Sequence, residues 1–138
     1  METLQDLVRK YYLEGGYNCA ETLLHAGNEY YSLNLHEEDM KIMAGFGGGM
    51  FIGSTCGALI GSVAVFSKMI IKTKAHDQMD EIRPWTQKLT RNFKEALGAL
   101  DCAHVKAVHH QKPPIKCLNT CLLASQALEK TINEWKNQ

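Results

Sequence analysis

The sequence lacks an excess of either charge. It has 138 residues with 15 acidic and 15 basic side chains, so its formal net charge at pH 7 is zero. A balanced chain creates no strong field to attract nucleic acid or an anionic membrane, and we expect neither as a partner. Its first six residues are polar and acidic and do not resemble a signal peptide. We therefore expect a cytoplasmic location, where clustered cysteines more often serve chemistry than structural disulfides.

No internal repeat, low-complexity tract or linker divides the chain, and no segment shows the alternation of a β-strand. The length is that of one domain, and a hydrophobic content of 45% is enough for a core without disulfide staples. We predict a single helical domain over residues 1–138. Its fold class is all-α, with a compact bundle of about five to six helices around a buried central glycine-rich helix.

The longest uncharged stretch runs from Ile42 to Phe66. A membrane span needs about 20 apolar residues, but the first half of this stretch is rich in glycine and weakly apolar. The second half, residues 56–71, is shorter and contains Lys68, so we interpret it as the buried central helix and expect no membrane span. Gly57 and Gly61, four residues apart, give one face of this helix a groove into which another backbone fits.

Caps and glycines predict the helix boundaries. Asn18 with Glu21 three residues later is the pattern of a capping box, and we expect Ser54 or Thr55 to cap the central helix. The predicted helices cover residues 4–13, 19–31, 37–44, 56–71, 78–97 and 115–135, with a short helix or turn at 102–110.

Several common functional motifs are missing. The glycine loop at residues 45–49 lacks the Gly-Lys-Ser/Thr ending of a P-loop and follows a helix instead of a strand, so it does not predict a nucleotide site. No two cysteines form Cys-x-x-Cys, the spacing of a thioredoxin-like pair or a zinc knuckle. His104, His109 and His110 lie near cysteines, and we interpret them as solvated loop residues in preference to zinc ligands.

The five cysteines are the most informative residues. Four of them, Cys19, Cys56, Cys102 and Cys117, lie where helices are predicted to begin, and Cys121 lies one turn further along the last helix. A helix N-terminus stabilises an anion, so a thiol there should have a lowered pKa and more thiolate, the form that attacks and binds metals. We expect Cys56 to be the most acidic thiol. The alternative is that these cysteines are small hydrophobic residues of the core.

The sequence resembles the C_GCAxxG_C_C family over nearly its whole length. The resemblance rests on the order of GYNCAE at residues 16–21, GFGGG at 45–49, CGALIG at 56–61, and then Cys102 and Cys117. It implies an all-helical protein of redox or metal-related character, without an established reaction. The four family cysteines correspond to Cys19, Cys56, Cys102 and Cys117, with Cys121 as a substitute for Cys117. The chain has no Cys-x-x-Cys-His haem attachment site, so a haem role does not transfer.

We therefore expect a small soluble redox-active or metal-binding protein in which these four cysteines converge. They would ligate an iron–sulfur cluster or, in another version, zinc, and the redox partner is unknown. Three alternatives stay open: a protein that cycles between thiol and disulfide without metal, a homo-oligomeric structural or interaction protein with buried cysteines, and an enzyme with one activated cysteine. A homodimer would pack through the Gly57/Gly61 helix.

Overall fold

The computed structural model describes every residue from Met1 to Gln138. It contains seven α-helices and no β-strand. The α-helices are α1 (Leu4–Arg9), α2 (Cys19–Tyr30), α3 (Glu37–Met40), α4 (Gly57–Ile70), α5 (Met79–Leu97), α6 (Cys102–His109) and α7 (Leu118–Lys136). Short 3₁₀ segments cover Lys41–Phe46 and Ala75–Gln78, and π-helical turns cover Lys10–Glu14 and Gly49–Gly53.

The all-α class is confirmed, but the number of helices exceeds the five to six predicted. The additional helix is the short α6, in the segment 102–110 that the sequence left open as a short helix or turn. In α6, the Asp101 carboxylate accepts the N–H of His104 at 2.9 Å and caps the first turn. The central position of the glycine-rich helix is not confirmed, because α2, α4, α5 and α7 all supply buried residues to one shared core.

Local capping sets the start of α2 as the sequence predicts. The Asn18 side chain accepts the N–H of Glu21 at 3.0 Å, and the Glu21 carboxylate accepts the N–H of Asn18 at 3.0 Å. The Asn18 side chain also donates to the carbonyl of Ala44 at 3.1 Å, which fastens the glycine loop to this end of α2. Cys19 is thereby fixed as the first residue of α2.

Helices α2 and α4 cross at very close range. A Cβ atom placed on Gly61 would lie 2.6 Å from the carbonyl oxygen of Ala20 and 2.9 Å from the Cβ of Leu23, and one on Gly57 would lie 2.9 Å from the carbonyl oxygen of Phe46. The groove predicted at these glycines is therefore filled by α2 of the same chain. A helix therefore crosses at these glycines as the sequence predicts, and this helix belongs to the same chain; a homodimer stays a prediction.

A left-handed turn follows the glycine loop. Gly48, Gly49, Met50 and Phe51 have φ values of 60°, 62°, 58° and 62°. Two of these residues carry side chains, for which this conformation is unfavourable by about 1–2 kcal/mol each. The turn leaves Phe51 74% exposed and Ile52 82% exposed.

The uncharged stretch from Ile42 to Phe66 does not form one long apolar helix. Its helical part, α4, has 14 residues. No helix in the structure combines the length and the hydrophobicity that a membrane crossing demands.

We predict that Gly61→Ala destabilises the fold. The new methyl group would press on the Ala20 carbonyl, a backbone atom that moves only if α2 shifts, and such overpacking costs about 1–3 kcal/mol. Gly45→Ala is the matched control, since a Cβ there has no atom within 4 Å. Urea unfolding should show a loss for Gly61→Ala and almost none for Gly45→Ala. Equal stabilities would contradict the close crossing.

Candidate functional site

Four of the five cysteines line one cavity of about 210 Å³: Cys19, Cys56, Cys102 and Cys117. Each lies at the start of a different helix. Cys19 and Cys102 are the first residues of α2 and α6, and Cys56 and Cys117 are the N-cap residues of α4 and α7. All five cysteines are free thiols in the structure.

A short backbone pairing places Cys56 beside Cys102. Thr55 and Asp101 form an isolated antiparallel bridge. On either side of it, the Cys56 N–H donates to the Leu100 carbonyl at 2.8 Å, and the Cys102 N–H donates to the Ser54 carbonyl at 2.6 Å. This pairing explains why neither Ser54 nor Thr55 caps α4, contrary to the sequence-based expectation. Cys56 takes the N-cap position without a side-chain cap bond.

Two further cysteines, Cys117 and Cys121, lie beside Cys19. Its thiol lies within hydrogen-bonding reach of both Cys117 and Cys121. Cys121, one turn along α7 from Cys117, is fully buried in the core. Cys117 lines the cavity, and Cys121 does not. Cys121 therefore approaches Cys19 from the core, while Cys117 approaches it from the cavity.

Two polar side chains hold Cys117. Its backbone N–H donates to the Tyr12 hydroxyl at 2.9 Å, a contact between residues 105 positions apart. The Nδ1 atom of exposed His110 lies 3.2 Å from the Cys117 sulfur. His110 is therefore a thiol partner and not only the loop residue that the sequence suggested.

Burial affects the pKa values of these thiols more than the helix dipole does. Burial raises the pKa of Cys56 to about 11, and the N–H groups of Ala58 and Leu59 in the first turn of α4 oppose this rise without cancelling it. The pKa of Cys102 is also raised, first by burial and then by the neighbouring Cys117. The expectation of lowered pKa values at the helix starts is therefore wrong.

Cys19 and Cys117 each shift the pKa of the other. The pKa of Cys117 is raised by its contact with Cys19 and by burial, while His110 lowers it in part. Cys117 lowers the pKa of Cys19, but the thiol of Cys121 and burial raise it more, so the result stays well above the ordinary thiol value. Both thiols are therefore protonated at neutral pH until a base or a partner removes a proton.

The cysteines of the cavity are the candidate donors for a metal ion. Thiols are proper ligands for zinc and for iron–sulfur clusters. However, no group of three or more His, Cys, Asp or Glu side chains stands in an arrangement that holds one ion. The side chains as they lie do not fit a metal, and ligation would require them to move.

Sequence reasoning missed most of the remaining wall. Besides the cysteines and His110, the cavity is lined by residues that include Tyr12, Thr120, Lys106 and Lys116. Tyr12 lies in the π-helical turn Lys10–Glu14, and Thr120 lies one residue before Cys121 on α7. No local spacing marks these residues, since only the packing of α1 and α6 against α7 brings them together.

Comparison with known proteins agrees with this arrangement. A family model described as "Putative redox-active protein (C_GCAxxG_C_C)" matches residues 17–131. That segment begins just before Cys19 and includes all five cysteines. No curated protein and no solved structure matches the chain.

We predict a stability loss at alkaline pH that depends on Cys56. Its pKa rises on folding from an ordinary 9.0 to about 11. The stabilisation is therefore complete below about pH 9 and is lost as the pH rises through about 11, at about 1.4 kcal/mol per unit of difference. Urea unfolding of reduced protein between these pH values measures it.

The variant Cys56→Ala should reduce this pH dependence, and the part that remains comes from the other thiols with raised pKa values. Ser62→Ala is the matched control, because Ser62 is equally buried on α4 but does not titrate. Identical slopes for wild type and Cys56→Ala would show that burial does not govern the Cys56 thiol.

Proposed function

Since this chain belongs to the C_GCAxxG_C_C family of redox-active proteins, we propose that it is a thiol–disulfide redox protein whose working pair is Cys19 and Cys117. The observation that carries the proposal is the approach of the Cys19 thiol to the Cys117 thiol at the cavity wall, beside an imidazole. Disulfide chemistry requires two thiols in contact and access for a partner.

The reaction balances with a disulfide as the electron acceptor. The Cys117 thiolate attacks one sulfur of the partner's disulfide, which forms a mixed disulfide and releases one partner thiolate. Cys19 then attacks the Cys117 sulfur, so the Cys19–Cys117 disulfide forms and the second partner thiolate leaves. Two electrons pass to the partner, and the two thiol protons end on its two sulfurs.

The surroundings favour Cys117 as the first nucleophile. Thiolate is the attacking form; contact with Cys19 and burial raise the pKa of Cys117, and His110 is the neighbour that opposes this rise and can accept the thiol proton. His110 is exposed, so a proton that it accepts has a route to solvent. The Tyr12 hydroxyl holds the Cys117 backbone in place while the sulfur changes partners.

Cys56 and Cys102 line the same cavity as Cys19 and Cys117. The Thr55–Asp101 bridge fixes their backbones side by side. We assign them to the redox site because they share its cavity, and Cys121 is the substitute that reaches Cys19 when Cys117 is absent.

Ligation of an iron–sulfur cluster or zinc is the second candidate. It uses Cys19, Cys56, Cys102 and Cys117, and its support is that these four thiols line one cavity. Elemental analysis and an absorption spectrum of protein purified without air separate the two candidates. Stoichiometric iron or zinc that is lost in Cys56→Ser would replace the disulfide proposal with the metal proposal.

We predict that mild oxidation of metal-free protein yields a Cys19–Cys117 disulfide first. Peptide mapping by mass spectrometry under diamide identifies the pair. In Cys117→Ser the expected product is Cys19–Cys121, since Cys121 is the other thiol in reach of Cys19. A first disulfide without Cys19 would overturn the proposal.

We predict that His110→Ala slows alkylation of Cys117 at neutral pH. Removal of the imidazole raises the Cys117 pKa, and one pKa unit corresponds to about 10-fold less thiolate. The control is His76→Ala, since His76 is an exposed histidine outside the cavity wall. Equal rates in wild type and His110→Ala would remove His110 from the mechanism.

A further inference from the structure

We propose that the cysteine-lined cavity binds a small oxyanion, held by the hydroxyl groups of Tyr12 and Thr120 and by the ammonium groups of Lys106 and Lys116. The inference rests on the proposed function, which gives the cavity its role. It deepens that function by naming the class of ligand that binds beside the thiols. Two observations support it. Two hydroxyl groups have no hydrogen-bond acceptor in the protein, and positively charged side chains line the cavity.

Thr120 is the strongest indication of a missing ligand. It is 2% exposed, and its Oγ1 has no hydrogen-bond partner. An unpaired buried hydroxyl costs about 1–3 kcal/mol, so native proteins rarely retain one without a use. Thr120 lines the cavity, and an acceptor bound there would satisfy it.

Tyr12 supplies a second donor. Its hydroxyl oxygen accepts the Cys117 N–H, while its own proton has no acceptor in the protein. Burial raises the pKa of Tyr12, so the hydroxyl keeps its proton at neutral pH. An anion in the cavity would accept from Tyr12 on one side and from Thr120 on another.

The charge of the wall selects an anion over a cation. Lys106, Lys116 and His110 line the cavity, and none of the lining residues is a carboxylate. The cysteines add no charge as thiols or as disulfides. Four helices of at least eight residues also begin at this wall, and the positive ends of their dipoles favour a negative ligand.

The size of the cavity limits the ligand. Its volume of about 210 Å³ is several times the share of one water, roughly 30 Å³, so it admits an ion of a few heavy atoms. The common chemistry is an oxyanion with several acceptor oxygens, free or attached to a small organic molecule.

Thr120→Val tests the proposal because it should preserve or raise the stability of the empty protein and lower its affinity for the anion. Valine has nearly the same shape and removes the unpaired hydroxyl, so the reduced protein without oxyanions should be as stable as wild type or more stable. Binding of phosphate or sulfate should weaken about 10-fold or more, since a hydroxyl contact to a charged group is lost. Titration calorimetry and thermal unfolding, at constant ionic strength with chloride as the balancing salt, measure both effects.

Thr131→Val is the matched control. Thr131 is a fully buried residue of the same helix, but its hydroxyl is paired with Asn92 at 2.8 Å and with the Ala127 carbonyl at 2.7 Å. This variant should lose stability and keep wild-type affinity for the oxyanion. Lys106→Gln should weaken binding several-fold and reduce its salt dependence.

Wild-type protein should also show slower alkylation of Cys102 and Cys117 when phosphate or sulfate is bound. Acetate and a small phosphomonoester, added separately, distinguish a free inorganic ion from a group carried on an organic ligand. Absence of binding by every one of these anions, or undiminished binding in Thr120→Val, overturns the proposal. Diamide mapping of Thr120→Val should still yield the Cys19–Cys117 disulfide, so the oxyanion site and the redox pair can fail independently.

Discussion

The close crossing of α2 and α4 is the constraint on which the site depends. Gly61 lets the two backbones meet at Ala20, the residue directly after Cys19. Gly57, directly after Cys56, faces the same part of α2, where a Cβ would lie 3.3 Å from the Ala20 N atom. The first turns of both helices are thus held together, and with them the first two cysteines. A wider crossing would separate these thiols even if every helix remained intact.

Features encoded by neighbouring residues were predictable from the sequence. The Asn18–Glu21 capping box and the start of α2 at Cys19 depend on residues three positions apart, and both are present. Cys102 is the first residue of α6, as predicted, whereas α7 begins at Leu118, three residues after the predicted residue 115, with Cys117 as its N-cap. The cap of α4 was predicted incorrectly, because Thr55 pairs with Asp101, a residue whose proximity no local pattern reveals.

The acidity of the thiols shows a similar limit of local reasoning. A helix N-terminus lowers a thiol pKa, and this effect depends only on position along the helix. Burial acts against it and depends on what the rest of the chain places around the sulfur. Cys56 is only 3% exposed, so the loss of solvation outweighs the dipole. A sequence reports the first effect directly and the second only after the fold is known.

The contact between Tyr12 and Cys117 has a consequence for how the site assembles. These residues are 105 positions apart, so their meeting closes about three quarters of the 138-residue chain into one loop. Long loops close late because their conformational entropy must be lost before the contact forms. We therefore expect Cys19, Cys56 and Cys102 to be in place before α7 docks. Cys117 then arrives with the last helix, and an incompletely folded chain would lack the proposed Cys19–Cys117 pair.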